Sequence, residues 1–256
     1  SDYPFKYESE EWNSKKEELL YKWLGDEDAV IFILTIGQIT ETWDDLIDKD
    51  KEVTDEQINS LFMHMLIDLP INPFFDRYKF LVGAIKSGQK DRMLTSGFLH
   101  VDIPHLFFNM FTLFFFSNVV IDWLGPIKFV IIYMISLLAG SLLAMVFHKN
   151  EPYYSAVGAS GAVTGILYAA ILLQPDMQLG LMFIPIPIPA YIFGIGYLLY
   201  SKLGNIGHTA HFGGAIGGYI TTLLFLPGLL VTEPLMVGLL AIPIIALFIL
   251  QKTGKL

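Results

Sequence analysis

The sequence predicts an all-α fold: a polytopic helical membrane bundle, preceded by an N-terminal helical region on the water side. Three observations carry this. The chain is 54% hydrophobic over 256 residues, and residues 1 to 78 hold 19 of the 25 acidic and 7 of the 16 basic side chains, a balance of −12 against +3 for the remainder. From about residue 103 onward, ionisable residues nearly vanish from stretches of roughly 15 to 25 residues, the length that crosses a hydrocarbon core of about 30 Å. Nothing in those stretches alternates like a barrel strand, and a span in lipid must satisfy its own backbone hydrogen bonds, so each reads as a helix.

The apolar segments run from 104 to 123, 127 to 147, 160 to 174, 183 to 200, 208 to 226 and 235 to 251. Turn residues separate them at Gly125-Pro126, Asn150-Glu151-Pro152, Gln174-Pro175-Asp176, Gly204-Asn205 and Glu233-Pro234. The third segment is short, and its approach, 153 to 158, is apolar without being long enough to cross. A loop dipping into the protein is expected there, with the helix starting inside the membrane. The fourth opens with Pro185, Pro187 and Pro189, three missing donors that a regular helix cannot hold, so its regular part is expected to begin near Ala190.

Before the bundle, Thr54 and Gln57 have capping-box spacing ahead of Ile58, Leu61, Phe62 and Met65, which predicts an amphipathic helix over 54 to 67. Residues 10 to 24 suggest another. The apolar run from 29 to 39 has only 11 residues, closer to a buried core element than a span. Domain boundaries are expected at 1 to 90, 91 to 230, and 231 to 256, the last being an extra C-terminal transmembrane helix and tail.

Composition also excludes functions. With no cysteine there is no disulfide, thiolate metal site or cysteine nucleophile, and neither a metal nor a cofactor is expected. A net charge of −9 argues against nucleic acid as a partner. Residues 1 to 11 lack the basic and apolar pattern of a signal peptide, so no cleaved leader is expected.

Ionisable and strongly polar groups inside spans are costly and usually mark function. His105 opens the first span, Ser160 the third and His211 the fifth. Consecutive spans alternate in direction, so these three fall near the same membrane face. Gly158-Ala159-Ser160-Gly161 sets a serine among small residues, where a substrate backbone can come close. It is not the nucleophile elbow of soluble hydrolases, because Ala162 stands where that motif has glycine. His211, Gly214 and Gly218 share one helical face, and Gly161 with Gly165 forms a second small pair. Packing the two segments along these seams brings the Ser160 hydroxyl toward the His211 ring.

A serine hydroxyl becomes a nucleophile when a base takes its proton, and His211 suits that role. Asp122 and Asp176 belong to loops at the opposite face, so a Ser-His dyad is inferred rather than a triad. His105 and Asn109, four residues apart, together with the Ser160 backbone amide, supply donors for a developing oxyanion. Taken singly, each residue has a plainer reading. Ser160 alone reads as a packing serine, His105 and Asn109 as helix ties, and His100 as an interfacial residue that lines the water-accessible end of the site.

Taken together, these residues resemble the rhomboid intramembrane proteases. The matching elements are Arg92, Phe98-Leu99-His100, His105-Leu106-Phe107-Phe108-Asn109-Met110, Gly158-Ala159-Ser160-Gly161 and Ala210-His211-Phe212-Gly213-Gly214, over roughly residues 92 to 230. The resemblance implies a Ser160 nucleophile, a His211 base, and an oxyanion site from His105, Asn109 and the Ser160 amide. It also implies cleavage of transmembrane protein substrates near a membrane boundary, with the fourth segment as a lateral gate and a bacterial inner membrane as the location. Its six-span core has a span before His105 that this sequence does not show clearly. Asp91 stands where a tryptophan often precedes the arginine, and Thr164 where an aromatic sometimes stacks on the catalytic histidine. The resemblance puts the active face outside the cytoplasm, whereas Lys86, Lys90, Arg92, Lys149 and Lys202 on that face, against Lys128 opposite, favour the reverse; the resemblance is given more weight.

Two other functions compete. One is a catalytically silent rhomboid-like protein that binds or escorts membrane clients, which the presence of both Ser160 and His211 weighs against. The other is a transporter, for which no inverted repeat or paired broken helices are evident. The bilayer is the one further partner expected, and oligomeric state has no signature in the sequence.

Overall fold

Long apolar runs bounded by proline and glycine fold here as helices, and their lengths differ in a way that sets the depth of the site. The computed structural model describes Glu18, Lys22 and residues 73–181, 184–203 and 208–252. The expectations for 29 to 39 and 54 to 67 fall outside the described residues, as does all of 10 to 24 except Glu18 and Lys22, which are helical. The chain divides into two units, Ser1–Tyr78 and Lys79–Leu256. The first contributes one described helix of more than a single residue, α1 (Pro73–Tyr78), where the Arg77 guanidinium lies 4.7 Å over the Tyr78 ring.

The second unit is a helical membrane bundle. It opens with β1 (Phe80–Leu81), α2 (Val82–Lys86) and α3 (Arg92–Thr95), followed by a 3-10 turn. Buried Arg92 pins this stretch by donating to the Gln89 side chain at 2.7 Å and the Lys79 carbonyl at 2.8 Å.

Two helices follow, α4 (Ile103–Leu124) and α5 (Pro126–Phe147), each 22 residues and each long and apolar enough to cross a membrane. The Asp102 carboxylate caps α4 by accepting from the His105 amide at 2.7 Å. Gly125, at φ +81, ends α4 in a conformation that L side chains rarely adopt, and Pro126 opens α5 where a helix needs no amide donor. The aromatic run on α4 turns outward, with Phe107, Phe108, Phe111, Phe114 and Phe115 all exposed and Phe116 buried.

At the centre is α6 (Ser160–Leu173), in which every residue from Gly161 to Leu173 is buried. On it pack α4, α5, α7 (Ala190–Leu203) and α8 (His208–Phe225). A one-turn α9 (Leu229–Thr232) leads into α10 (Pro234–Lys252). Since α6 has 14 residues, it is about 21 Å long, roughly a third shorter than its neighbours α4 and α5.

Glycines let α8 come close on two sides. A Cβ on Gly214 or Gly218 would strike the carbonyl oxygen of Gly161 or Gly165 on α6. On Gly213 it would stand 2.5 Å from the Ala139 carbonyl oxygen of α5, and on Gly217 it would stand 2.9 Å from Ser136 Cα. The first seam is the one the glycine spacing predicts; the second is an addition.

Extended backbone appears in two short antiparallel ladders. β1 pairs with β2 (Ser155–Ala156), so the approach to α6 is a strapped, extended segment within the fold. β3 (Gln178–Leu181) pairs with β4 (Ile184–Pro189), which holds the three alternating prolines. Their period of two puts every missing donor on one edge, which a ladder tolerates and a helix does not. Regular helix resumes at Ala190, the residue the prolines point to.

Candidate active site

Ser160 is the first residue of α6, and its position depends on the segment before it. Gly158 takes φ +124 and its amide donates to the Ser96 carbonyl at 2.9 Å, turning the chain into the helix. A side chain there would also stand 2.5 Å from Cε1 of His105. Because α6 is short and ends in the polar Gln174-Pro175-Asp176 turn, its serine end lies within the thickness of the bundle.

His211 sits one turn into α8, 5% exposed. Its Nε2 is 2.7 Å from Ser160 Oγ, a hydrogen bond between two helices joined by the glycine seam. Both residues line a cavity of about 520 Å³, together with His105, Asn109, Tyr154 and Phe193. The site residues drawn from the sequence therefore gather in one place: Ser160, His211, His105 and Asn109 on the cavity, Gly158 and Gly161 at the head of α6, and Gly214 and Gly218 in the seam behind them.

Asn109, 5% exposed, donates one of its amide hydrogens to the His105 carbonyl at 2.8 Å, which fixes the side chain on the cavity wall. His100 lies just outside α4, its ring 5.1 Å from that of His105 and edge-on to it. The Ala159 amide donates to His100 Nε2 at 3.5 Å, which needs an unprotonated nitrogen. Burial, reinforced by the nearby His105 and opposed by Asp102, lowers the His100 pKa from 6.5 to about 4, so the ring is neutral at physiological pH.

Three further residues stand at the site, of which the sequence marks only Thr164, and that as a departure from the family pattern. Tyr197 of α7 lays its ring beside His211, centroids 5.2 Å apart and planes 32° from parallel, with its hydroxyl 3.4 Å from Nε2. Thr164 donates to the Ser160 carbonyl at 2.6 Å. Tyr154 lines the cavity and stacks on His148 at 3.6 Å, while His148 also reaches Thr209 at 3.1 Å, two residues before His211. The one available signal was the aromatic pair Phe193 and Tyr197, four apart on a helix and stacked in the structure.

The Rhomboid domain family matches residues 87–228, more than half of the chain and the whole of the cavity. The chain belongs to the rhomboid family. Among the rhomboid relatives, RHOMBOID-like protein 12, mitochondrial, of Arabidopsis thaliana is 32% identical over 152 residues, which are 51% of this chain and 45% of that protein. Rhomboid protease GluP of Bacillus subtilis is 34% identical over 139 residues, 53% of this chain and 26% of that one. Presenilin-associated rhomboid-like protein, mitochondrial, of Bos taurus is 27% identical over 199 residues, 72% of this chain and 52% of that one. This rhomboid chain thus spans about half or less of the length of these relatives. Family membership makes it a membrane protein. Two of the three relatives are named as mitochondrial, so the expectation of a bacterial inner membrane finds no support.

Proposed function

We propose that this chain is a serine endopeptidase that cleaves transmembrane protein substrates near the membrane boundary through an acyl-enzyme on Ser160. The observation that carries the reading is the 2.7 Å contact of Ser160 Oγ with His211 Nε2 at the wall of an open cavity. As Oγ attacks the scissile carbonyl, Nε2 takes its proton and then delivers it to the departing amine. A water activated by the same nitrogen hydrolyses the ester.

Charge on the tetrahedral oxygen is met from three sides. The Ser160 amide belongs to the first turn of α6, where amides point out of the helix and the dipole is positive. Asn109 keeps its second amide hydrogen for the cavity, and the His105 ring lies beside Gly158. Donors already fixed on helices, His105 and Asn109 on one that Asp102 caps, need little reorganisation when the charge appears. The name Rhomboid protease GluP, carried by one relative, supports the same chemistry.

Reconstitution of the chain with a single-span substrate tests the proposal. Ser160→Ala and His211→Ala should each lower turnover by about a thousandfold or more, as when one member of a nucleophile and base unit is removed. Variants that cut as fast as the parent would remove Ser160 and His211 from the chemistry, and a well-folded parent that binds the substrate without cutting it would favour the silent client-binding alternative.

A further inference from the structure

We propose that His148 is a positioning residue that ties the approach to Ser160 to the approach to His211, and so keeps nucleophile and base in register. The inference rests on the Ser160 and His211 reading given above. His148 follows the last residue of α5 and stands outside the cavity lining, so it touches no reacting atom. Its ring meets two segments that are far apart in the sequence. On one side it stacks on Tyr154, centroids 3.6 Å apart and planes 8° from parallel, at the head of the extended segment that leads through Gly158 to Ser160. On the other, its Nε2 is 3.1 Å from Oγ1 of Thr209, in the first turn of α8 and two residues before His211.

The hydrogens can be assigned. A carboxylate only accepts, so His148 Nδ1 donates to Glu151, 3.1 Å away. In that tautomer of the neutral ring Nε2 is an acceptor, and the Thr209 hydroxyl donates to it. Thr209 has no exposed surface and cannot turn to bulk water instead, so the loss of His148 strands a buried donor. Tyr154 is itself a fixed reference. Its carbonyl accepts from the Val82 amide at 3.1 Å, and the Phe80 ring stands edge-on to it at 6.2 Å.

The pairing of His148 with Glu151, three residues apart and exposed at the carboxylate, is ordinary at a surface and alone would carry nothing. It gains a role because Thr209 comes from another helix, at the end of the glycine seam. Between Thr209 and His211, the Ala210 carbonyl oxygen lies 2.7 Å from where a Cβ on Gly140 would stand and 3.0 Å from one on Gly161. Contacts between small residues bring backbones close but have little direction along the helix axis. A slip of one residue is about 1.5 Å, and a misplacement of about 1 Å at reacting atoms costs on the order of a hundredfold in rate. A directional bond at the head of α8 removes that freedom just ahead of the base.

The test compares Thr209→Val, Thr209→Ser, His148→Ala, His148→Gln and the double variant of His148→Ala with Thr209→Val in reconstituted cleavage, with Ser160→Ala as the control. Thermal melts and the rate of fluorophosphonate attachment to Ser160 are followed in parallel. Thr209→Val keeps the shape and removes the hydroxyl. It should lower kcat and the labelling rate about tenfold, the order of a misplacement of about half an ångström, with KM nearly unchanged. Thr209→Ser returns the hydroxyl and should restore most of both rates. His148→Ala should lose at least as much as Thr209→Val, and His148→Gln, whose amide both donates and accepts, should recover most of that loss. The double variant should be no slower than His148→Ala alone, because both changes break one tie.

Parental kcat and labelling in Thr209→Val, a loss confined to KM, or multiplying losses in the double variant would each overturn the tie. If Thr209→Val does not fold, the His148 pair decides: His148→Gln as slow as His148→Ala overturns it. Failure of the dyad reading looks different, since cleavage would then persist in Ser160→Ala. In a parent that labels with fluorophosphonate but cuts no substrate, the labelling rates of the same variants decide the point. A parent that neither cuts nor labels overturns both.

Discussion

The two flanks of α6 are built on different principles. Toward α8 the contacts are backbone to backbone, Gly214 against the Gly161 carbonyl and Gly218 against that of Gly165, and α8 in turn sets Gly213 and Gly217 against α5. Toward α7 they are made by side chains, through the Tyr168 hydroxyl on Gly194 and the Tyr197 group beside His211. Gly194 itself faces the flexible end of Ile171, with Cδ1 2.7 Å from where a Cβ would stand. In lipid, where little hydrophobic drive separates helix from helix, close backbone approach is what fixes distance. The first flank therefore sets the separation of Ser160 and His211, and the second borders the cavity beside them.

Gly214→Ala attacks the rigid flank and should have the largest effect. The added methyl meets the carbonyl of Gly161, one residue after the nucleophile, and neither helix can give way by rotating a side chain. Overpacking of this kind costs about 1 to 3 kcal/mol, and the loss of activity should exceed what that cost predicts, because the displacement falls on the 2.7 Å contact of the dyad. Fluorophosphonate labelling and thermal melts in detergent check this together. Normal labelling with a normal melt would show that the seam does not set the geometry.

This contrast also explains what was legible in the sequence. Small residues at i, i+3, i+4 and i+7 announce a helix face whatever surrounds them, so Ser160, His211 and the Gly214 and Gly218 seam could be read directly. The offset pair Gly213 and Gly217 lies in the same stretch, but only the fold shows that α5 occupies that side. Proline chemistry gave the start of α7 at Ala190, since three missing donors exclude a helix before it. Tyr197 was invisible for the opposite reason. Its role depends on how far a side chain reaches between helices, and an aromatic on an apolar helix looks the same whether it faces lipid or a catalytic base. The departure at Thr164 was visible, but its consequence was not, because the ring that lies beside His211 comes from another helix.

A second prediction concerns His100, which meets the head of α6 through the Ala159 amide. Its folded pKa of about 4 lies below the ordinary 6.5, so the unfolded chain takes up a proton that the fold refuses. Stability from this residue is complete above about 6.5 and is lost as pH falls toward 4, since stability rises with pH wherever the unfolded state binds more protons. Melting temperature measured from pH 7.5 down to 4.5 should fall in the parent, and fall less in His100→Gln. Parallel curves would remove His100 as a source. In the folded chain protonation would take away the acceptor of the Ala159 amide only near pH 4, so any loss of Ser160 labelling through His100 should appear below the range of the melts.

The smallest effect is expected from Gly196→Ala on α7. Nothing stands within 4 Å of a Cβ at that position, and alanine is favoured over glycine inside a helix by about 1 kcal/mol. The variant should melt at or slightly above the parent temperature and cut substrate at the parental rate, in contrast to the same substitution at Gly214. A drop in melting temperature would mean that α7 is packed as closely as α8, and the two flanks would no longer differ. A drop in turnover with the melt unchanged would sharpen the contrast instead. Stiffening α7 would then slow turnover without any loss of packing, and the mobile wall of the cavity would be the helix that carries Tyr197.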